Sequence, residues 1–329
     1  MTPAFEMNQL FTQGLRVLAS RVALLIVVSV LAHAVVHLAP GEPSEVDPGN
    51  PRMKPQDIAL IRAAFHLDEP LYAQYFYWMR DLFRGELRSF KDDQPVLGKI
   101  SERFINSLPL FACATLLVWT LSFPTGIHAA LHRGALIDRS ATVLAYAMIS
   151  IPGFVFAYLL IVLSVDVFAL PVIGMRTFGI HDSGVWQQLM DRFWHLALPS
   201  VMSALVGIAI LSRYVRAQMV EVLHQDYVRT AHAKGLTQTT VLYRHALRNA
   251  LLPTITMFGL LLPNLIGGSV IFEQIFAWPG IGRLGYEAVL ARDYPVILTL
   301  NLFAAVLTIL GTSLADVLYM LADPRMRSS

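Results

Sequence analysis

Six apolar runs, each long enough or nearly long enough to cross a bilayer, constrain this chain more than any other feature of its sequence. They cover 18–38, 108–130, 141–169, 196–211, 251–276 and 296–320. A spanning helix needs about 20 apolar residues, because an α-helix rises only about 1.5 Å per residue. Hydrophobic residues make up 55% of the chain and charged residues only 15%, against about a quarter charged in soluble domains. One buried core does not explain that deficit; lipid as a solvent does. The first run follows Arg16 and Arg21 and stops at Pro40-Gly41. It is longer than a signal-peptide core and reads as an uncleaved anchor. Pro124, Pro152, Pro171, Pro253, Pro263, Gly259, Gly267 and Gly268 interrupt or flank the later runs, which membrane helices tolerate where neighbours satisfy the freed backbone groups.

The expected architecture is therefore an all-α integral membrane protein with six transmembrane helices. Residues 1–39 form the N-terminus and first span, 40–107 a water-exposed insert, and 108–329 a five-helix core. The insert mixes acids, bases and prolines. Within it, 57–65 reads as an amphipathic helix with Ile58, Ile61 and Phe65 on one side, and 71–83 as a second, with Tyr72, Tyr75, Phe76 and Met79.

Orientation follows from the short loops. On one side stand Arg16, Arg21, Arg133, Arg139, Arg213, Arg216, Arg229, Lys234, Arg244, Arg248, Arg325 and Arg327; on the other only Arg176, Arg192, Arg283 and Arg292. Both termini and the 212–250 loop are thus expected in the cytoplasm of a bacterial plasma (inner) membrane, and 40–107 outside.

Several function classes are excluded or unsupported. Gly98-Lys99 is followed by Ile100, so it is not a phosphate-cradling loop, and no GxxxxGK[ST] occurs. No HExxH or GxSxG marks a membrane enzyme. A net charge of +2 implies no nucleic acid. The one cysteine, Cys113, excludes an internal disulfide and argues against a cysteine metal cluster. His33 and His37 share a helix face, as do His128 and His132, but the first span adds no Cys or carboxylate, and both pairs read as interfacial polar side chains. No metal, cofactor or catalytic residue is expected.

The 212–250 loop carries the most information. Asp226 is placed to N-cap a short helix, Ala231 and Ala233 keep it slim, and Gly235 supplies a left-handed C-cap. Such a short helix is marginal alone in water and suits a groove on a partner protein; a solvated basic loop that only enforces topology is the other reading of the same residues. The segment Tyr227-Val-Arg-Thr-Ala-His-Ala-Lys-Gly235, with His245-Ala-Leu-Arg-Asn-Ala-Leu-Leu-Pro253, resembles the EAA loop of ABC-importer permeases. The resemblance is greatest to the first permease of the dipeptide/oligopeptide/nickel branch. Phe276-Ala-Trp-Pro-Gly-Ile-Gly-Arg283, Arg292-Asp-Tyr-Pro-Val296 and Asp323-Pro-Arg-Met-Arg327 resemble segments of that branch in order, and Leu67-Asp-Glu-Pro-Leu71 and Gly85-Glu-Leu-Arg-Ser-Phe90 do so more loosely. The Glu-Ala-Ala of the general motif falls here on Arg229, Thr230 and Ala231.

The resemblance implies a coupling helix that docks on a cytoplasmic ATPase through Arg229, Thr230, Ala231, Lys234 and Gly235. Ala231 and Gly235 match the motif, Lys234 stands at its rim, and Arg229 and Thr230 occupy it without matching. It also implies two ATPase subunits, a second homologous permease, an extracytoplasmic solute-binding protein, and a binding-protein-dependent importer of di- or oligopeptides; nickel or another small solute is the alternative cargo. In the fifth run, Gly259, Pro263, Gly267, Gly268, Ser269 and Glu273 are the candidate pore or gate residues. Small residues let helices approach, and a carboxylate near the membrane is costly and often functional; packing glycines and an acid paired with Arg283 are the plainer readings. A secondary transporter is the remaining alternative, with broken helices in its favour but no internal repeat. The topology is checked by reporter fusions at Gln94 and Gln238, which are expected on opposite sides of the membrane.

Overall fold

The computed structural model describes residues 3–39, 59, 62–63, 65–168, 172–180, 183–251, 254, 257, 261–267 and 270–322. These are almost entirely helical, with one isolated β-bridge between Arg88 and Pro95. Among the described residues, four helices are long and apolar enough to span a bilayer, or five spans if one bent pair counts as one.

Helix α1 (Pro3–Leu38) carries the first apolar run without a break. The predicted helix at 57–65 lies mostly outside the described residues, whereas the second amphipathic helix is present as α2 (Leu71–Arg84). Pro70 precedes it, and Gly85, at φ +73°, ends it. Helix α3 (Val96–Leu131) contains Pro109 and Pro124 and begins twelve residues before the run at 108–130, so helix reaches well into the segment assigned to the insert.

The run at 141–169 is not one helix. It is α4 (Leu136–Ser150) and α5 (Gly153–Phe168), bent by 97°. Pro152 is the cause: it lacks an N–H, and its ring pushes the preceding residue out of the helical region. Ile151 accordingly sits at φ −88°, ψ 126°. The run at 196–211 is only the middle of α6 (Val185–Leu223), 39 residues long. At about 1.5 Å per residue α6 outruns a bilayer of about 30 Å, and the first third of the loop assigned to 212–250 is its continuation. Short helices follow: α7 (Asp226–Ala233), α8 (Leu261–Gly267), α9 (Val270–Ile275) and α10 (Ile281–Ala291). The run at 251–276 falls partly outside the described residues. The last long helix is α11 (Tyr294–Ala322).

The chain divides into two compact units. One comprises Met1–Glu102 with Leu284–Leu310, the other Arg103–Arg283 with Gly311–Ser329. In the first, the turn before α3 is tied to the start of α11. Asp293, 1% exposed, accepts hydrogen bonds from Ser89 Oγ and from the Phe90 N–H. Lys99 Nζ donates to Ser89 Oγ at 3.1 Å and pairs with Asp92 at 2.8 Å. Burial opposes ionisation of Asp92, but hydrogen bonds from Lys99 and the Gln94 N–H, with the Lys99 charge, outweigh it and hold the carboxyl below its ordinary value. Its contribution to folding is therefore complete above the ordinary carboxylate range and is lost as pH falls through the depressed value.

In the second unit α3 lies along α6. A Cβ at Gly126 would overlap the Ser212 carbonyl oxygen and Val215, so this close approach requires glycine. Gly267, expected to serve close packing, instead has open space where its Cβ would be. Gly126→Ala is expected to cost about 1–3 kcal/mol of stability. Gly267→Ala is expected to be neutral or to gain up to about 1 kcal/mol from helix propensity. Thermal unfolding of the detergent-purified variants checks both.

Candidate coupling loop and translocation cavity

Helix α7 begins one residue earlier than the sequence motif indicated. Gln225, not Asp226, holds the N-cap position, in extended conformation and without a side-chain cap; Asp226 stands in the first turn, where a negative charge favours the helix dipole. At the other end the Gly235 N–H bonds to the His232 carbonyl at 2.9 Å and the Leu236 N–H to the Ala231 carbonyl at 3.4 Å. These two bonds, with Gly235 at φ +77°, form a Schellman motif, and an L side chain at Gly235 would be strained.

Packing divides α7 into two faces. Val228 and Ala231 are buried and pack with Val241 against Val222. Arg229, Thr230, Ala233 and Lys234 are exposed. Ala231 thus seats the helix on its own chain, and the outward edge is basic and polar. Asn249 Nδ2 donates to the Tyr227 hydroxyl at 3.0 Å, fastening the start of α7 to the segment that follows it. Thr237 caps the return, its hydroxyl accepting from the Thr240 N–H. The chain then runs as a π-helical segment, Val241–Leu247. Leu242, Ala246 and Ala250 pack on Ala130 of α3 and on Leu211, Val215 and Met219 of α6.

A bidentate ion pair braces this end of the unit. Arg216 donates through Nε and Nη2 to the carboxylate of Asp138, the latter bond at 2.8 Å, and the Gly134 N–H donates to the same group at 2.9 Å. Asp138 is 4% exposed. The pair locks the N-terminus of α4 to the extended end of α6. Sequence reading used Arg216 only as a topological charge and passed over Asp138, a lone acid in a basic loop and for that reason the informative residue.

A cavity of about 440 Å³ opens beside α3 and α6. From α3 it takes Leu110, Phe111, Ala114, Thr115, Val118 and Trp119; from α6 Ser203, Val206, Gly207, Ile210 and Leu211; and from the fifth apolar run Met257, Leu261 and Asn264. The wall is apolar with a few polar groups, the usual composition of a solute pocket. Val118, Trp119, Leu211 and Met257 also pack in the cluster beneath the loop, so one set of side chains borders both cavity and loop.

Of the expected pore residues whose side-chain positions are described, neither Gly267 nor Glu273 lines this cavity. Gly259, Gly268 and Ser269 lie outside the described residues, as does the side chain of Pro263, a residue of α8. Glu273 is fully buried in α9. Its Oε1 accepts from Ser107 Oγ and its Oε2 from the Arg283 N–H, both at 2.8 Å. Ser107 Oγ in turn accepts from the Ile281 N–H at 2.8 Å. Glu273 and Ser107 together cap the N-terminus of α10. The Trp278 indole N–H donates to the Asn106 carbonyl at 2.9 Å, and Asn106 Nδ2 donates to the Pro279 carbonyl at 3.2 Å. The buried carboxylate holds a turn together and presents no surface to a solute in this conformation.

Long apolar helices, a braced polar loop helix and an apolar cavity between helices describe a multi-pass membrane subunit. The chain belongs to the family described as the binding-protein-dependent transport system inner membrane component, which it matches over residues 122–328. Residues 11–111 match the N-terminal part described for membrane components of the same systems. It is 37% identical to the oligopeptide transport system permease protein AppB of Bacillus subtilis (strain 168) over 308 residues, 93% of this chain and 96% of that protein. It is 35% identical to the dipeptide transport system permease protein DppB of Escherichia coli (strain K12) over 318 residues, 91% and 94% of the two chains. It is 38% identical to the glutathione transport system permease protein GsiC of E. coli (strain K12) over 307 residues, 92% and 94%. Membership makes this chain an ABC permease subunit of the inner membrane, not an enzyme. It works in a complex with an ATPase and a binding protein.

Glu273→Ala is expected to destabilise the protein by about 2–4 kcal/mol, since it leaves buried donors unpaired. Glu273→Gln, which keeps one acceptor, is expected to cost less and to retain uptake with KM near the parent value. Thermal unfolding and uptake of the two variants check this; a raised KM in Glu273→Gln with normal stability would make the residue a solute contact instead.

Proposed function

We propose that the chain forms half of the translocation pathway of an importer for di- and oligopeptides, with a second homologous permease as the other half and two cytoplasmic ATPase subunits below. Six spans are proposed, the fifth formed by 251–276. Residues 1–39, 40–107 and 108–329 are proposed as anchor, extracytoplasmic insert and core, with both termini and the 212–250 loop in the cytoplasm. The observation that carries the reading is near-full-length similarity to permeases whose names specify oligopeptide, dipeptide and glutathione transport. Nickel or another small solute is the alternative cargo; the names of the relatives above specify peptides and glutathione.

In this reading α7 is the coupling helix. Arg229, Thr230 and Lys234 form its docking edge, Ala231 sets its seat, and Gly235 sets its end. ATP-driven closure of the ATPases moves α7. The movement passes through Val241 and the cluster at Leu242, Ala246 and Leu211 to the walls of the cavity, to which the fifth run contributes Met257, Leu261 and Asn264; Gly259, Pro263, Gly267, Gly268 and Ser269 of the same run are proposed to let that wall move. Coupling then needs a helix that is held firmly on its inner side and free on its outer side, and packing of α7 on Val241 and Val222 supports that.

Reconstitution with the partner subunits tests the assignment. Gly235→Val places a β-branched residue at positive φ, at a cost of order 1–2 kcal/mol, and Ala231→Trp lifts α7 off its seat. Each is expected to leave membrane insertion intact while uptake of a labelled dipeptide falls relative to ATP turnover, or while the ATPase is lost on purification. Lys234→Ala is expected to do less, since a solvated charge is worth about 1 kcal/mol or under. Uptake of dipeptide should resist competition by Ni²⁺. Parental coupling in both Gly235→Val and Ala231→Trp would remove α7 from the mechanism.

A further inference from the structure

Helix α2 has three faces. At about 100° per residue, Leu71, Tyr75, Trp78 and Leu82 share one, Gln74, Tyr77, Arg80, Asp81 and Arg84 a second, and Tyr72, Phe76, Met79 and Phe83 a third. The first is anchored within the unit: Trp78 and Leu82 are buried, and Tyr75 bonds to Ser29 at 2.8 Å. The third is apolar and open. Tyr72 is 71%, Phe76 68% and Phe83 80% exposed.

The anchors fix the depth at which this open stripe sits. Ser29 and His33 belong to the apolar part of α1, Arg16–Leu38. His33 Nε2 donates to the Leu71 carbonyl at 3.1 Å. His33 lies five residues before Leu38, so about 7 Å inside the end of the span, and helix side chains lean toward the N-terminus, deeper still. On the other flank the Trp78 indole N–H reaches Thr299 Oγ1 at 3.4 Å, again five residues inside a span, that of α11, which begins at Tyr294. The chain approaching α2 is also provided for without water: Gln74 Nε2 donates to the carbonyls of Leu67 and Glu69, at 3.2 and 2.7 Å. Internal satisfaction of backbone carbonyls is what a position in the membrane requires.

We infer that α2 is an interfacial membrane helix, its Tyr72–Phe76–Met79–Phe83 stripe immersed in the acyl chains of the leaflet that holds the C-terminal end of α1. The occupant of the stripe is lipid because Ser29 and His33 anchor α2 beside the spanning part of α1, whose own apolar residues Val30, Leu31, Val35 and Leu38 are exposed. The arrangement of an apolar stripe, a polar face carrying Arg80 and Arg84, and aromatic rings at the boundary is that of helices that lie in the interface plane. The insert is then membrane-seated at α2 rather than wholly in water. The inference requires a membrane-spanning α1 but not the peptide cargo or the coupling scheme.

Depth-dependent quenching tests it. Cys113→Ser removes the native thiol; Phe76→Cys, Phe83→Cys and, on the polar face, Arg80→Cys are then labelled with NBD in nanodiscs of phosphatidylcholine containing 5-doxyl or 12-doxyl chains. Probes at 76 and 83 are expected to be quenched by 5-doxyl lipid about two-fold or more above the probe at 80, and to be the less sensitive to aqueous iodide. Two labelled positions keep the test valid if one variant misfolds. Iodide quenching without doxyl quenching at 76 and 83 would return α2 to water, and protection from both quenchers would place a protein there; either result overturns the inference.

Discussion

A peptide N–H or carbonyl that leaves water and finds no partner costs several kcal/mol, and that penalty orders this structure more than any side-chain contact does. It makes nearly every described residue helical. It also dictates where helices can stop. Pro152 breaks the third apolar run at a place where Ile151 can turn extended, and the turn between α9 and α10 is closed by Glu273 and Ser107, which take the orphan N–H groups of α10. Gly85 and Gly235 end α2 and α7 in the left-handed conformation. Each of these breaks is matched by a specific side chain or glycine.

The same requirement explains why polar residues in apolar surroundings are poor guides to a transport path. Glu273 is fully buried; its Oε2 accepts from the Arg283 N–H, and its Oε1 holds Ser107, whose Oγ accepts from the Ile281 N–H. His33 bonds a backbone carbonyl of α2, and His37 bonds the His33 carbonyl at 2.8 Å and Gln74 at 3.0 Å. The cavity, by contrast, is walled by Leu, Val, Phe and Trp with Thr115, Ser203 and Asn264 among them. A path for varied peptides gains from walls that make few obligatory hydrogen bonds, since a donor built for one partner is left unpaired by another.

Much of this was legible in the sequence, and the misses have physical causes. The apolar runs located the long helices because hydropathy reports the solvent directly. The small residues and glycine of 226–235 located α7 and its left-handed end because those conformations restrict residue type. Helix ends were misplaced where helix continues past the bilayer, as in α3 and α6, since polar residues propagate a helix as well as apolar ones do. The 97° bend was hidden because a proline in an apolar run is compatible with either a kink or a break. Asp138 and Arg216 are 78 positions apart, and nothing in local periodicity pairs them. The cavity was missed because its α3 and α6 walls look like any lipid-facing surface until the helices are assembled; attention had gone to the glycines of 251–276, of which Gly267 has only open space beside it.

The central claim is that a chain whose sequence carries no GxxxxGK[ST] loop draws on ATP through its contact with an ATPase, in response to a solute delivered from the other side. The direct measurement is ATP turnover by the assembled complex in nanodiscs, with the binding protein added empty or loaded with peptide. Peptide-loaded binding protein is expected to raise turnover well above the level with empty binding protein. Turnover indifferent to the loaded binding protein, together with peptide uptake by this chain alone in liposomes without ATP, would contradict the account.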